Sequence, residues 1–455
     1  MVTRSKVGIF KPKALSVEAV DYEPRIVEEA LADSAWRLAK NPDGTIARRK
    51  ARLVAKGCSQ VLGCDFKETF SPVVKPATIR TILSVIVSRG WQIRQVDVNN
   101  VFLNGDLTDE VFMQQPPGYV QFGPNGEQFV CRLTKAQYGL RPAPRAWFDK
   151  LKKFLVSTGF VMSKSDASLF IRVTTESILY VLVYVDDIIV IGSVAASIAS
   201  FIHLLDKEFF LKDMGDLHYF LGIEVTRSSS GSLHLCQRKY IKDLLDKSNL
   251  ANAKNVYTPM VSSSALSKDE GDRLADPTEY RSLAGALQYV GLTRPDIAYA
   301  VNRGLDFGDC HYTIGYCIYF GDTPVSWCSK KQQIVSRSTT KGKYRSLAAA
   351  TSDVTWLVSL LMELQISSAD LPNIWCNNSG VVAVATNPVL HSKFKHVELD
   401  LFFVREKVAQ GSLAVGEVLA CDQVADIFTK PLSVSLFTRF RHLLWVLPIE
   451  KLGDY

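Results

Sequence analysis

Two apolar runs separated by a pair of acidic residues constrain this chain more than any other feature. Residues 178–185 and 188–191 are rich in β-branched and aromatic side chains, and Asp186 and Asp187 stand between them. This pattern predicts a tight β-hairpin with both aspartates in its turn. Adjacent carboxylates in so apolar a setting repel each other and resist desolvation, and a bound divalent cation would relieve both effects. The pair alone is equally compatible with a plain turn.

A third carboxylate, Asp97, ends a second predicted strand. Residues 91–98 alternate apolar and polar side chains, as a half-buried strand does. If this strand lies beside the hairpin that carries Asp186 and Asp187, three carboxylates converge at one end of a sheet. Such a cluster binds two magnesium ions and supports phosphoryl transfer. A two-metal nuclease or phosphatase would use the same cluster.

The other periodic segments predict an α+β chain of at least two units. Residues 1–30 carry prolines and charges but no sustained period, so we expect a disordered linker there. Further predicted elements are helices at 78–89, 144–159, 280–292, 296–303, 344–364 and 397–409, a strand-like segment at 45–56, hairpins at 217–236 and 313–329, and a strand at 373–376.

Composition indicates an intracellular protein, either cytoplasmic or nuclear. The most apolar stretch is split by the two aspartates, and the first residues lack the apolar core of a signal peptide, so we expect no membrane segment. The nine cysteines include no CxxC pair, which argues against a disulfide framework or a zinc site. Lys and Arg number 53 against 46 for Asp and Glu, a modest excess compatible with nucleic-acid binding.

Ordered motifs extend this pattern into a family resemblance. The segment 184–187 (YVDD) resembles the YxDD box of reverse transcriptases, and 95–105 (QVDVNNVFLNG) resembles the first palm motif of copia-type retrotransposons. Other segments similar to that family, in its order, are 50–57 (KARLVAKG), 68–74 (ETFSPVV), 143–147 (APRAW), 217–224 (LHYFLGIE), 292–298 (LTRPDIA) and 425–432 (ADIFTKPL). The resemblance therefore runs from about residue 30 to residue 432.

The resemblance implies a polymerase site. Asp97, Asp186 and Asp187 would bind two Mg²⁺ ions, with Mn²⁺ as an alternative, and the Val98 carbonyl would be a further ligand. The implied partners are an RNA template, a DNA primer and deoxynucleoside triphosphates, and no membrane. The implied fold is a right-hand polymerase palm with partial fingers and thumb, followed by an incomplete ribonuclease H-like α/β domain.

The resemblance also implies nucleotide contacts. Lys50 and Arg52 would neutralise the triphosphate, and the ring of Phe102 would exclude a ribose 2′-hydroxyl. Pro142 stands where the family has glutamine, and a proline has no amide with which to contact the nucleotide.

The implied domains are a linker at 1–30, fingers and palm at 31–230 with the fingers truncated near 38–41, a thumb and connection remnant at 231–303, a ribonuclease H-like domain without its first strand at 304–432, and a tail at 433–455. In the ribonuclease H-like part, Lys343 and Asn377 replace family carboxylates and only Asp426 remains. One aspartate beside a lysine cannot hold two dications, so we expect no ribonuclease H activity.

Two interpretations of the whole chain remain open. It is a reverse transcriptase by descent with an intact metal triad, or it is an inactive retrotransposon remnant that at most binds nucleic acid.

Overall fold

The structure is a computed structural model that describes residues 38–40 and 46–49 by their backbone, and then 54–55, 57–63, 66–115, 120–229, 231–260, 276–304, 311–336, 338–367, 370–387 and 398–447. Lys50 and Arg52 lie outside the described residues, as does the linker predicted at 1–30.

The described residues form a mixed α and β structure. The strands are β1 (Leu38–Lys40), β2 (Ile46–Arg49), β3 (Gln92–Val98), β4 (Asp106–Gln114), β5 (Val130–Lys135), β6 (Val161–Met162), β7 (Leu169–Val173), β8 (Ile178–Tyr184), β9 (Asp187–Gly192), β10 (Leu211–Asp216), β11 (Tyr219–Phe220), β12 (Ile223–Arg227), β13 (Leu233–Cys236), β14 (Thr313–Phe320), β15 (Thr323–Lys331), β16 (Asn373–Cys376) and β17 (Ala414–Glu417). The helices are α1 (Pro76–Arg89), α2 (Ala143–Ser157), α3 (Ala195–Phe209), α4 (Arg238–Lys247), α5 (Thr278–Val290), α6 (Ala298–Gly304), α7 (Thr339–Glu363), α8 (Ser379–Thr386), α9 (Glu398–Ala409) and α10 (Val434–Leu443).

The central sheet has six strands in the order β10-β3-β9-β8-β7-β6, and every neighbouring pair is antiparallel. Side chains alternate between its faces along each strand. Val96, Val98 and Ile188 pack on one face with α2 and α3. Ile189 and Ile191 pack on the other face with α1 and α7. The middle strands are therefore covered on both sides.

Helix α1 illustrates how the sequence sets an element. Its apolar residues recur at helical spacing and are buried, among them Ile79, Ile82 and Ile86. The helix begins at Pro76, two residues before the predicted start, because proline suits the first turn of a helix. It ends at Gly90, which adopts the left-handed conformation with φ 64°.

The C-terminal unit, residues 311–447, contains two separate two-stranded sheets. Strands β14 and β15 pair antiparallel, whereas β16 and β17 pair parallel. Helix α7 lies between them in sequence and contacts strands of both sheets. Residues 433–455 were expected as a tail, but the structure has helix α10 there, with Phe437 and Phe440 buried against Phe428. Its aromatic residues at i and i+3 are the reason that it packs.

The C-terminal unit and the central sheet share one hydrophobic core. Ile318, Val325 and Leu360 belong to the same buried cluster as Ile82 and Ile189. Polar contacts join the same elements across long sequence separations, including a bond from the Tyr180 hydroxyl to the Leu364 carbonyl at 2.6 Å. The two parts of the chain are thus packed together through a common interior.

Candidate active site

The backbone register places two of the predicted carboxylates side by side. Asp97 on β3 lies directly opposite Asp187 on β9. The Val98 amide donates to the Asp186 carbonyl at 3.1 Å, so the neighbouring pair, Asp97 and Asp187, is a non-hydrogen-bonded one. In such pairs the Cα atoms are about 4.5 Å apart and the side chains project from the same face. The prediction that the two strands are neighbours is confirmed.

The turn of the hairpin differs from the sequence prediction. Tyr184 pairs with Asp187, so Val185 and Asp186 form the turn and Asp187 begins β9. Val185 has φ 56°, a left-handed conformation that costs about 1–2 kcal/mol for an L-residue with a side chain. The prediction that Asp186 and Asp187 make the turn is therefore wrong by one residue.

A buried tryptophan holds this strained turn. The indole N–H of Trp147 on α2 donates to the Val185 carbonyl at 2.7 Å, and the Trp147 side chain is only 1% exposed. Its ring also packs edge-on against Phe209. Strained backbone persists where surrounding structure fixes it, and it concentrates at functional sites. The sequence showed Trp147 as an apolar helix residue and gave no sign of this contact.

Two further polar residues lie beside the carboxylates. The amide nitrogen of Gln95, a buried residue, donates to Asp187 Oδ1 at 3.1 Å. Lys212 on β10 lies opposite Asp97, on the side away from Asp187. Gln95 lies two residues before Asp97 on the same face of β3, a spacing that marks it as a neighbour of the site. Pairing of β10 with β3 was not visible in the sequence.

The donor set fits a divalent cation, although the side chains are not gathered around one. Asp97, Asp186 and Asp187 are all partly exposed at one sheet end, and carboxylate oxygens are the ligands that Mg²⁺ prefers. Like charges directly opposite each other in a sheet repel, which a cation between them would offset. Within the described part of the chain, however, no three His, Cys, Asp or Glu side chains are grouped closely enough to hold a metal ion. The backbone brings the ligands together, and side-chain rotation would have to complete the site.

The other predicted site residues that the structure describes lie at the end of β3, in the turn that follows it and at the start of α2. Val98 is buried as the last residue of that strand. Phe102 lies in a 3₁₀ turn, Val101–Asn104, and its half-buried ring meets Tyr138 edge-on at 4.7 Å between centroids. Pro142 stands at the N-cap of α2 and its carbonyl accepts the Ala146 amide at 3.0 Å.

In the C-terminal unit, the two substituted positions contact each other. The Lys343 ammonium donates to Asn377 Oδ1 at 2.6 Å. Asp426 is buried and forms an ion pair with Lys430 at 2.6 Å. Each of these polar groups thus has a partner within the chain.

Comparison with known proteins identifies the family. A family model for reverse transcriptase (RNA-dependent DNA polymerase) matches residues 30–262, just over half of the chain. The chain belongs to this reverse transcriptase family. The matched segment contains the whole central sheet and all three carboxylates.

Curated relatives of this reverse transcriptase chain are copia-type Pol polyproteins of transposons. It is 42% identical to the retrovirus-related Pol polyprotein from transposon RE1 of Arabidopsis thaliana, over 97% of the chain and 36% of the relative. It is 41% identical to the Pol polyprotein from transposon RE2 of the same plant, over 99% of the chain and 37% of the relative. It is 32% identical to the Pol polyprotein from transposon TNT 1-94 of Nicotiana tabacum, over 90% of the chain and 35% of the relative. The chain spans little more than a third of the length of these relatives. The resemblance inferred from the motifs is confirmed.

The same alignments show that this reverse transcriptase chain is shorter than its relative within the matched region. The match to the RE1 protein extends over 529 positions, whereas the whole chain has 455 residues. The relative therefore carries residues inside the matched region that have no counterpart here. Among the helices described, none combines the length and apolar character needed to cross a membrane.

Proposed function

We propose that the chain is an RNA-directed DNA polymerase unit that extends a DNA primer on an RNA template. The observation that carries this proposal is the placement of Asp97 opposite Asp187, beside the turn that bears Asp186, in a chain of the reverse transcriptase family. We assign the central sheet to a palm, and the segments before and after it to truncated fingers and a thumb remnant.

In this proposal the three aspartates bind the metal ions, with the Val98 carbonyl as a further ligand. Bound Mg²⁺ would supply activation of the attacking hydroxyl and stabilisation of the leaving oxygen. Gln95 orients Asp187 through its hydrogen bond. The ring of Phe102 limits the space beside the sugar, which favours deoxynucleotides.

Lys50 and Arg52 remain proposed contacts of the triphosphate, because both are cations and phosphates bind such groups strongly. The metal ions would neutralise the negative charge of the three aspartates. Lys50 and Arg52 would neutralise the negative charge of the triphosphate.

Primer extension tests the polymerase proposal. Purified chain with Mg²⁺, a hybrid of RNA template and DNA primer, and all four deoxynucleotides should lengthen the primer. Asp186→Asn should abolish extension, whereas Glu176→Gln, which removes an exposed carboxylate in the β7–β8 loop, should retain it. Equal products from the wild type and Asp186→Asn would reject the proposal.

The C-terminal unit, in our proposal, is a ribonuclease H-like domain that lacks its first strand and its chemistry. Support comes from the two strand pairs, which share no sheet, and from the Lys343–Asn377 contact at two positions where the family has carboxylates. A cation already occupies this position as a lysine ammonium, and Asp426 is paired with Lys430. The RNA strand of a hybrid should remain intact with Mg²⁺ or Mn²⁺, and its cleavage would overturn this proposal.

A second candidate is a non-catalytic remnant that binds nucleic acid. The chain lacks residues that the RE1 protein has within the matched region, which favours this candidate. The truncation of the fingers that we propose near 38–41 would weaken nucleotide binding. Pro142 adds to this, because it offers no amide to a nucleotide. Binding of the hybrid without extension, in the assay described above, would support this candidate.

A further inference from the structure

A groove lies at the junction between the central sheet and the C-terminal unit. Its volume is about 510 Å³, and it is open to solvent along one side. Three segments form its walls: the residue before α1 (Lys75), the β6–β7 loop (Lys164 and Ser165), and helix α7, with one aromatic residue of α9 at its end. Among the described residues that line it there is no aspartate or glutamate.

The groove has the donors of an anion site. The side chains of Lys75 and Lys164 are exposed at its rim. On α7, Ser352 and Ser359 are also exposed, and their spacing of seven residues puts both hydroxyls on one face of the helix. Ammonium and hydroxyl groups together are the usual partners of phosphate oxygens.

The walls of the groove are fixed by polar contacts. The Trp356 indole donates to the Ser165 carbonyl at 2.9 Å, and the Lys75 ammonium lies 4.3 Å from the Trp356 ring centroid. Two carboxylates contact this loop. Asp166, a buried residue of the loop, accepts from the Lys75 amide at 3.0 Å and from the Thr78 hydroxyl at 2.6 Å. Glu363 accepts from the amides of Lys164 and Ser165 at 2.9 and 3.0 Å. Both carboxylates therefore accept hydrogen bonds from the walls of the groove.

The groove and the three aspartates lie at the same end of the central sheet. Leu169, the first residue of β7, pairs with Leu182 near the hairpin turn, and the β6–β7 loop directly precedes it. Strand β7 is two positions from β9 in the sheet, which is roughly 10 Å.

The groove also lies on the same face as two of the carboxylates. Asp187 shares its face of β9 with Ile189 and Ile191, the residues that pack with α1 and α7. By the register, Asp97 projects to this face as well. A nucleic acid seated at the carboxylates would therefore find the groove beside it, without crossing the sheet.

We propose that this groove binds the sugar–phosphate backbone of the template–primer, so that helix α7 of the C-terminal unit is part of the polymerase's nucleic-acid surface. The proposal rests on the polymerase function proposed above. Lys75 and Lys164 pair with phosphates, and Ser352 and Ser359 donate to phosphate oxygens.

Hybrid binding over a salt series tests the groove. The full chain is titrated with a labelled RNA–DNA hybrid, without nucleotides and without Mg²⁺, at several KCl concentrations. Each phosphate contact contributes about 0.9 to the slope of log K against log salt. Lys75→Met with Lys164→Met should therefore lower the slope by about 1.8 and weaken binding several-fold at low salt.

Two further variants make the result specific. Lys153→Met also removes an exposed charge, but from α2 on the opposite face of the sheet, and should leave the slope unchanged. Ser352→Lys adds a charge to the groove wall and should tighten binding. Equal losses for Lys153→Met and the groove variant, or no tightening with Ser352→Lys, would overturn the proposal.

The groove proposal and the polymerase proposal can fail separately, and the binding and extension assays distinguish the two cases. If only the groove proposal fails, the wild type and the groove variant bind the hybrid equally and both extend primers. If only the polymerase proposal fails, extension is absent while the salt slopes of the variants still differ. Melting curves of the Lys153→Met and Ser352→Lys variants should coincide with that of the wild type, because both side chains are exposed. The groove variant should melt only slightly lower, since it loses the exposed contact between Lys75 and the Trp356 ring, worth about 0.5–1 kcal/mol.

Discussion

Replacement of Arg80 by methionine tests whether the central sheet and the C-terminal unit form one cooperative structure. Arg80 lies on α1, and its guanidinium donates to the Val325 carbonyl at 2.8 Å and to the Leu292 carbonyl at 3.0 Å. It also stacks 3.7 Å above the centroid of the Trp327 ring. Arg80, which lies in the segment matched by the reverse transcriptase family model, thus bonds to two carbonyls that follow that segment in the chain.

The expected change in the free energy of unfolding follows from these contacts. Methionine retains much of the aliphatic volume but leaves two carbonyls without this donor, at about 1–3 kcal/mol each. Loss of the ring contact with Trp327 adds about 1 kcal/mol. Relief of the buried charge offsets part of this, since burial lowers the pKa of Arg80 to about 9. We expect the free energy of unfolding to fall by about 2–4 kcal/mol.

Urea unfolding, followed by both tryptophan fluorescence and far-UV circular dichroism, measures this change. Arg80→Met should lower the midpoint and separate the two transitions, because Trp327 reports on the junction. Arg89→Met is the matched control: Arg89 is exposed at the end of the same helix and stacks on Trp91 at 5.2 Å. Equal effects of the two substitutions would refute the assignment of Arg80 as the link between the two parts.

Three other changes should have distinct effects. Trp147→Phe removes the donor to the Val185 carbonyl, so unfolding should become easier by about 1–3 kcal/mol and primer extension slower, with urea midpoints and extension rates as the measurements. Burial raises the pKa of Glu363, but hydrogen bonds from the β6–β7 loop outweigh this effect, and the net pKa is lowered. The Glu363 carboxylate therefore stabilises the fold at pH values above its unfolded pKa. This stabilisation is lost as the pH falls through the folded pKa. Melting temperatures between pH 6 and pH 3 should therefore decline less in Glu363→Gln than in the wild type, and parallel declines would contradict the assignment. A double-mutant cycle with Lys343→Met and Asn377→Ala should give a coupling energy of about 1 kcal/mol in melting experiments, and a coupling of zero would show that the contact contributes nothing.

Local pattern was enough to predict most elements and the pairing at the site. Alternation along residues 91–98 and the apolar runs around Asp186 predicted strands that the structure contains, as β3, β8 and β9. The turn was predicted one residue late because aspartate favours turns. The observed turn has its Val185 carbonyl bonded to the Trp147 indole; the two residues are 38 positions apart, and sequence periodicity carries no information on such a contact.

Contacts between segments that are distant in sequence could not be predicted from local sequence patterns. Arg80 and Val325 are 245 positions apart, and Ser165 and Glu363 are 198 apart. Each pair depends on how whole elements pack, which is set by many apolar contacts together rather than by any local motif. The helix at Val434–Leu443 was missed for a related reason, since a short amphipathic segment is stable only against the core that receives it.

If the C-terminal unit is the inactive ribonuclease H-like domain that we propose, its packing has persisted without its chemistry. Metal-dependent hydrolysis needs several carboxylates at once, so a single change to lysine or asparagine removes it. Packing has no such requirement, because each of the buried residues contributes separately. The partly buried side chains of Lys343 and Asn377 bond to each other, so each polar group has a partner. Whatever its chemistry, the unit covers α1 with Val325 and Leu360. We therefore expect Arg80→Met to affect the polymerase part, although the change disturbs no proposed catalytic residue.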